Sequence, residues 1–304
     1  MRVVALAGGT GSAKLLRGLG GVLDRFIVVV NTGDNIWMHG LYVCPDIDIA
    51  MYTLAGIEDE KKGWGIAGDT FQLLEDLGRL GAATWFKLGD RDFATHVLRT
   101  HMLQGGRRLT EITSLLAKRL GVKQTILPPS DQHIETHIIT EEGEMHLQEF
   151  WVKRKAEGRV RGVRYVGVDS ARVSSEVETA LRNAERILFC PGNPITSLEP
   201  IISTDGLGTM IASSRARRIA VSPMVGGGAF SGPASKLMRA LGHEPTAVGV
   251  AELYSGLIDE IVIDKADAEM RPSIERLGVG CTLADIKMGS PLDERRLAKQ
   301  LLEA

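Results

Sequence analysis

The sequence predicts an α/β protein with a doubly wound, mainly parallel sheet and a mostly helical insertion. Two observations lead to this fold class. Short, continuous apolar runs recur along the chain and are followed by loops rich in glycine, proline or serine, which is typical of strands buried on both faces. Segments of helical periodicity lie between these runs. Alternation of strands with helices is typical of a parallel sheet.

The first part of the chain contains a strand–loop–helix–strand unit. Residues 2–7 are apolar after Arg2 and predict the first strand, and the run 26–30 predicts the second. Between them Gly8-Gly9-Thr10-Gly11 predicts a loop, and Ser12 is expected to cap a helix that runs to about Leu23. This arrangement is half of a nucleotide-binding unit, so the sheet is predicted to be Rossmann-like.

The later elements follow from the same reasoning. Helical periodicity predicts helices over 47–54, 69–80, 93–120, 175–184 and 293–302. Apolar or alternating runs predict strands at 134–140, 144–150, 186–190, 218–222 and 260–263, the first two as a hairpin. The basic stretch 153–164 is expected to be a solvated connection. We therefore expect a core domain made of residues 1–60 and 165–304, with residues 61–164 as the helical insertion.

Composition argues against several classes of function. Lys and Arg number 36 against 38 Asp and Glu, and aromatic residues make up 5%, so neither charge nor stacking surface predicts nucleic-acid binding. Cys44, Cys190 and Cys281 are too far apart in sequence to predict a disulfide framework, which favours a reducing compartment. The apolar start is too short for a signal peptide or a membrane span. We expect a cytoplasmic protein without a membrane partner.

The loop Gly8–Ser12 is the first candidate binding site. A helix that starts after a glycine turn directs N–H groups and its positive dipole end at a ligand, which predicts a bound phosphate; a plain tight turn is the alternative. The order Gly11-Ser12-Ala13-Lys14 does not match a P-loop. A dinucleotide fingerprint would need a third glycine at Lys14 and an acid at Asn31. Lys14 either contacts a phosphate or is solvated.

Two later loops, over 190–197 and 222–228, are predicted to join the first. Each follows a predicted strand, and in an open parallel sheet ligands bind beyond the carboxyl ends of the strands. Three loops of small residues at one edge predict a single crevice for a nucleotide-like ligand. The residues expected to bind it are Gly8, Gly9, Thr10, Gly11, Ser12, Lys14, Asn193, Thr196, Ser197, Gly226 and Gly227.

Acidic residues after the second predicted strand suggest a metal. Asp46 and Asp48 stand at a predicted helix start, where they either stabilise the helix dipole or bind Mg²⁺. Mg²⁺ would help to neutralise a diphosphate, and Asp69 is a further candidate ligand. His39 is a candidate proton carrier, although a lone histidine in a loop is more often a hydrogen-bonding group.

Five motifs together resemble the 2-phospho-L-lactate transferase family. In chain order they are Ala7–Leu15, Asn31–Asn35, Pro45–Asp48, Trp85–Asp92 and Asn193–Ser197. The resemblance implies a magnesium-dependent, homodimeric transferase of coenzyme F-420 biosynthesis. It would move a phospholactyl or phosphoenolpyruvyl group from a guanosine diphosphate-linked donor to a ribityl hydroxyl of the deazaflavin Fo, and GMP would leave. Whether the donor carries lactate, enolpyruvate or a glycerate-like acid stays open.

The resemblance also implies roles for single residues. Asp48 and Lys87 would contact the deazaflavin, and Asn35 and Arg91 belong to the same predicted substrate site. The glycine loops would hold the guanosine diphosphate part. Phosphoryl-type transfer needs alignment and charge neutralisation.

The catalytic residues are expected to be Asp34, Asp46 and Asp48, which would hold magnesium or accept the proton of the acceptor. An Asp48→Asn variant is expected to lose turnover and keep its fold. The resemblance further implies basic residues near 228 and 231, where this chain has Gly228 and Ser231. Lys14 or Lys236 would then neutralise the donor phosphates instead.

Two other function classes have sequence signatures that can be compared with this chain. A related non-transferase branch of the fold binds nucleotide-sugars as a regulatory protein. Its members lack the patterns Asn31–Asn35 and Asp46–Asp48, which are present here. An NAD-linked oxidoreductase would need the missing third glycine and the missing acid after strand two. The sequence therefore favours the transferase.

Overall fold

The computed structural model describes residues 1–226, 228–229 and 232–303. Its centre is a seven-stranded parallel sheet. The strands are β1 (Val3–Ala7), β2 (Ile27–Val30), β3 (Thr125–Leu127), β4 (Arg186–Phe189), β5 (Arg217–Val221), β6 (Glu260–Asp264) and β7 (Gly280–Ala284). Their spatial order is β3-β2-β1-β4-β5-β6-β7, with β1 paired to β2 on one side and to β4 on the other. The order therefore reverses between β1 and β4.

The helices cover both faces of this sheet, apart from Gln72–Arg79, which packs in a separate small cluster. They are α1 (Gly9–Gly20), α2 (Pro45–Leu54), α3 (Gln72–Arg79), α4 (Asp90–Gln104), α5 (Leu109–Arg119), α6 (Ser175–Arg182), α7 (Glu199–Ile202), α8 (Leu207–Ala212), α9 (Ala234–Ala240), α10 (Ala247–Leu253), α11 (Arg271–Glu275) and α12 (Pro291–Glu303). Side chains of β1 alternate between two buried clusters. Val3 and Ala5 pack with α1, α2, α5 and α12, and Val4 and Leu6 pack with α6 to α11. The predicted doubly wound α/β class is confirmed.

Shorter pieces complete the fold. A three-stranded antiparallel sheet places Glu135–Thr140 between Gly143–His146 and Val160–Val166. Two hairpins pair Ile36–Met38 with Leu41–Val43 and Met224–Val225 with Gly228–Ala229. Short π-helical turns span Glu149–Lys153 and Pro194–Leu198, and 3-10 turns span Val168–Ser170 and Lys265–Met270.

Several boundaries differ from the sequence-based expectations. Helix α1 begins at Gly9, so Ser12 lies inside its first turn, where its hydroxyl donates to the Gly8 carbonyl oxygen at 2.7 Å. The expected helix 93–120 is two helices that separate near Gly106, which has a φ of 80°. Residues 61–164, expected as an insertion, include β3 at the edge of the main sheet.

The expected solvated connection over 153–164 is wrong in its second half, because Val160–Val166 is a strand. Its arginines pair with acids of the same small sheet. Arg161 pairs with Glu141 of the turn after Glu135–Thr140, and Arg164 pairs with Glu144 of Gly143–His146, on the far side of the middle strand. Surface ion pairs of this kind typically contribute about 0.2–1 kcal/mol each. The many basic residues of this segment therefore led to the prediction of a solvated connection where the structure has a strand.

Two further expectations concern the surroundings of the chain. Cys44, Cys190 and Cys281 are buried and form no disulfide. Within the described residues, no helix combines the length and the hydropathy that crossing a bilayer requires.

Candidate active site

A cavity of about 620 Å³ lies beyond the carboxyl ends of β1, β4 and β5, next to the point where the strand order reverses. In open α/β sheets this is where ligands bind. Six of the residues predicted to bind the nucleotide-like ligand line it: Thr10, Gly11, Lys14, Asn193, Thr196 and Ser197. The third loop contributes Pro223 rather than Gly226, and Gly227 lies outside the described residues. We call this space the donor cavity.

Glycines let the loops after β1 and β4 pack against each other. A Cβ on Gly8 would lie 2.7 Å from Cβ of Ser197 and 2.8 Å from Oδ2 of Asp46, and one on Gly11 would overlap the Pro191 carbonyl oxygen. Gly9 has a φ of 74°, which favours glycine. The close packing explains why the loop carries small residues, and it brings the first turn of α1 to the cavity wall.

The N–H groups of this turn are not all available to a ligand. The Gly9 N–H donates to Oδ1 of Asp46 at 2.9 Å, and the Gly8 N–H donates to the Ser12 hydroxyl oxygen at 3.2 Å. The first N–H groups of a helix have no partner inside the helix. The two remaining ones, on Thr10 and Gly11, belong to residues that line the donor cavity.

A second cavity of about 330 Å³ adjoins the first. Its walls include Tyr52, Trp64, Phe86 and Trp151, and the predicted substrate residues Asp48 and Lys87 line it. We call it the acceptor cavity. Thr10, Asp34 and Trp151 line both cavities, so the two spaces meet at these residues.

Two of the predicted substrate residues lie elsewhere. Asn35 is buried; its amide nitrogen donates to the Tyr42 hydroxyl at 3.1 Å. Arg91 is exposed and donates to the Ala67 carbonyl oxygen at 3.2 Å. His39, the candidate proton carrier, has a φ of 52° and lines neither cavity.

Asn31 brings two predicted catalytic acids together at the junction. Its Nδ2 donates to Oδ1 of Asp34 and to Oδ2 of Asp46, both at 2.8 Å. Gln148 Nε2 donates to Oδ2 of Asp34 at 3.2 Å. Burial raises the pKa of Asp34 well above its ordinary value, and the neighbouring Asp46 carboxylate raises it further. Burial also raises the pKa of Asp46 to about 6, against the hydrogen bonds from Asn31 and Gly9.

The third predicted catalytic acid, Asp48, belongs to a different cluster. Arg99 is fully buried and binds both carboxylate oxygens of Asp48, with Nη1 3.0 Å from Oδ2. Burial opposes the charge of Arg99, but the Asp48 carboxylate raises the pKa of Arg99 overall. The Asp48 carboxylate is therefore already paired with a cation.

Two side chains from α4 extend this cluster. His96 lies 3.6 Å from Asp48 and 3.3 Å from Asp92, and the Tyr52 hydroxyl donates to Asp92 at 2.7 Å. Although burial raises the pKa of Asp92, hydrogen bonding and charge from His96 lower it overall. Asp48, Asp92 and His96 are close enough together to ligate one ion. The adjacent guanidinium disfavours a cation there.

Asp69, the further metal candidate, is engaged in capping. Its carboxylate accepts hydrogen bonds from the backbone N–H groups of Arg91 and Asp92 at the start of α4, at 2.9 and 3.1 Å. This is the usual role of an acid at a helix N-terminus. Among the described residues, the carboxylates of Asp46, Asp48 and Asp69 do not form one cluster.

Comparison with known proteins bears on what these cavities do. A sequence model of the family described as "2-phospho-L-lactate transferase CofD" matches residues 3–278. The chain belongs to the 2-phospho-L-lactate transferase family. It is 41% identical to the 2-phospho-L-lactate transferase of Methanosarcina mazei over 304 residues, which cover 99% of this chain and 100% of that protein. The predictions of the family and of a transferase are confirmed.

The chain is also similar to a transferase named for a different acid and to a solved structure. A phosphoenolpyruvate transferase of Streptomyces griseus is 40% identical over 311 residues, covering 100% of this chain and 98% of that protein. A solved structure of a UPF0052 family protein from Bacillus halodurans matches with a TM-score of 0.66 and 20% identity, over 99% of this chain and 98% of that one. The structural likeness shows the shared fold.

Sequence reasoning missed three residues of this transferase. Trp151 stands at the junction of the cavities, Arg99 binds Asp48, and Lys287 lines the donor cavity. A signal for Lys287 existed. It stands before Gly289-Ser290-Pro291, the same kind of small-residue loop as the predicted ones, but the preceding strand β7 was not recognised. Arg99 and Trp151 carry no local pattern.

Proposed function

We propose that this transferase moves a phospholactyl or phosphoenolpyruvyl group from a guanosine diphosphate-linked donor to the ribityl hydroxyl of the deazaflavin Fo. GMP is the leaving group, and the reaction belongs to coenzyme F-420 biosynthesis in the cytoplasm. Relatives named for both acids support the class of group transferred. The observation that carries the proposal is the junction of two cavities at Asp34 and Thr10, because transfer requires two substrates to meet end to end.

The donor cavity suits a nucleoside diphosphate. Its volume lies within the usual range for small-molecule sites, roughly 300–1,000 Å³. The start of α1 and the cation Lys14 form part of its wall and favour phosphate oxygens. Lys236, the other cation considered, does not line this cavity; its ammonium donates to the Ala156 carbonyl oxygen at 2.5 Å and lies over the Phe150 ring.

The acceptor cavity suits a planar aromatic ring. Trp64 and Phe86 are partly exposed and offer ring surface, and stacking against them would hold a deazaflavin; Tyr52, also in the wall, is almost fully buried. Lys87 is exposed at the same cavity and can donate to a polar edge of the ring. With the ring held there, the ribityl chain would extend towards Asp34, where the two cavities meet.

The predicted Mg²⁺ fits one pair of acids better than the others. Asp34 and Asp46 are hydrogen-bonded to one amide nitrogen, and burial and mutual repulsion disfavour their charged forms. A divalent cation would relieve that repulsion, and carboxylate oxygens are the ligands Mg²⁺ prefers. Asp48 fits less well because the cation Arg99 already neutralises it, and Asp69 fits less well because it lines neither cavity. When bound, Mg²⁺ would neutralise charge on the donor diphosphate.

The transfer itself needs a proton acceptor and a fixed line of attack. The ribityl oxygen forms a bond to the phosphorus that bears the acid. The bond from that phosphorus to the oxygen of the GMP phosphate breaks, and GMP departs with the electron pair. Asp34 lines the junction where the hydroxyl proton would be released, and burial raises the pKa of its carboxyl group, which makes the carboxylate a stronger base. Asn31 and Gln148 hold the Asp34 carboxylate in place.

One experiment tests this proposal directly. The protein is incubated with Fo, Mg²⁺ and guanylated donors carrying lactate, enolpyruvate or glycerate in separate reactions. Chromatography with mass detection follows the products. We expect a phospho-acid ester of Fo and an equal amount of GMP with at least one donor. The absence of both product and Fo binding would contradict the proposal and would favour the nucleotide-sugar-binding alternative. Light scattering of the same sample tests the predicted homodimer.

A further inference from the structure

The donor cavity has a wall that the three glycine loops do not supply. Residues 286–289, which follow β7 and precede α12, all line it. This segment lies beyond the end of the family match at residue 278. We call it the C-terminal wall. Its one charged side chain is Lys287.

The charges around the cavity are few. Among the described residues that line it, the cations are Lys14 and Lys287, and the single acid is Asp34. Gly228, where the sequence departs from the expected basic pattern, carries no side chain. A guest diphosphate brings several negative charges into this space. The two lysines are therefore the side chains that can neutralise it there.

The C-terminal wall is fixed to the body of the protein. The Lys14 ammonium donates to the Met288 carbonyl oxygen at 3.1 Å, which ties the wall to α1. Helix α12 packs closely on α1. Arg295 donates to the Gly21 carbonyl oxygen at 2.6 Å, and a Cβ on Gly18 would overlap the backbone of Glu294. Lys287 therefore extends from a backbone that is held in place.

Lys287 itself is uncommitted. Its side chain is exposed, and among the described residues its ammonium has no hydrogen-bond or ion-pair partner. Lys14 spends one of its three donors on Met288 and keeps the others. We propose that Lys287, together with Lys14, binds the diphosphate of the guanylated donor, so that the C-terminal wall is part of the donor site. This inference rests on the proposed function.

The test measures the binding of GDP by calorimetry at low salt. GDP has the guanosine and the diphosphate of the donor but not the attached acid. We expect Lys287→Ala to weaken GDP binding about tenfold, which corresponds to about 1.4 kcal/mol. Lys287→Arg should restore most of the affinity. Guanosine, which lacks phosphate, should bind the alanine variant and the parent protein equally, which separates a phosphate contact from a general loss of structure. The salt dependence of GDP binding should also become shallower in the alanine variant.

A matched control is Lys299→Ala, since Lys299 is an exposed lysine of α12 that does not line the cavity. We expect it to bind GDP like the parent protein. Equal GDP affinity of Lys287→Ala and the parent would overturn this inference and leave the proposed function standing. A parent protein that binds no GDP would overturn both. An equal loss of GDP affinity in Lys299→Ala would show that only the net charge of the protein matters, and would overturn the role of Lys287.

Discussion

The carboxylates of Asp34 and Asp46 accept hydrogen bonds from one amide nitrogen, Nδ2 of Asn31, at 2.8 Å each. Asn31 therefore holds two acids against each other at the junction of the donor and acceptor cavities. The arrangement costs stability when both acids are charged, because the pKa of each is raised in the folded protein. Such a cost is expected where a protein is built to receive a cation or a proton.

The first prediction follows from the sign of these shifts. A carboxyl group whose folded pKa is raised binds protons more tightly in the folded state, so stability is lost as pH rises through the shifted range. For Asp46 that range runs from its ordinary value of 3.8 to about 6. We expect the ligand-free protein to become less stable between pH 4 and pH 7, as measured by denaturant unfolding.

The Asp34→Asn variant should flatten this dependence. Asparagine can still accept from Asn31, and a rotated Gln148 amide can accept from its new N–H groups. Removing the Asp34 charge also removes repulsion on Asp46. A pH dependence as steep as that of the parent protein would contradict the coupling of the two acids. Asp24→Asn, at an exposed acid before the start of β2 and so at the opposite end of that strand from Asp34, should leave the slope unchanged.

The second prediction concerns Mg²⁺ itself. Binding to Asp34 and Asp46 should raise the unfolding temperature of the parent protein at pH 7, because a ligand that binds only the folded state stabilises it. Asp34→Asn should lose most of that increase, and Asp24→Asn should keep it. A full magnesium effect in Asp34→Asn would place the ion elsewhere, with the cluster of Asp48, Asp92 and His96 as the next candidate.

The third prediction revises an expectation drawn from sequence. Asp48→Asn was expected to keep its fold, but the substitution would leave the fully buried Arg99 without its counter-charge. Breaking a buried ion pair from one side typically costs about 3–5 kcal/mol. We expect that loss in denaturant unfolding for Asp48→Asn and for Arg99→Met. The double variant should be more stable than either single one, since no lone buried charge remains; additive losses would contradict the pairing.

The sequence pattern predicted more of the donor cavity than of the acceptor cavity. The loops Gly8–Ser12 and Asn193–Ser197 follow apolar strands, and a parallel sheet brings its strand ends to one edge. Local pattern was therefore enough to place them together.

The acceptor side depends on packing between distant segments. Arg99 reaches Asp48 across 51 positions, and Trp151 reaches the junction from a π-helical turn. The periodicity of apolar residues in the sequence does not predict contacts between such distant segments. The same limit explains β3, a three-residue edge strand whose first residue is exposed, and which has too little apolar length to stand out in sequence.

The fourth prediction concerns Trp151, whose half-exposed ring lines both cavities beside Asp34. A large apolar ring at the junction limits the access of water to the phosphorus that is attacked. We expect Trp151→Ala to release more GMP than transfer product, because water then competes with the ribityl hydroxyl. The measurement is the ratio of GMP to phospho-acid ester formed, which should be about one in the parent protein. Trp37→Ala, at an exposed tryptophan that lines neither cavity, should keep that ratio. An unchanged ratio in Trp151→Ala would show that other groups exclude water.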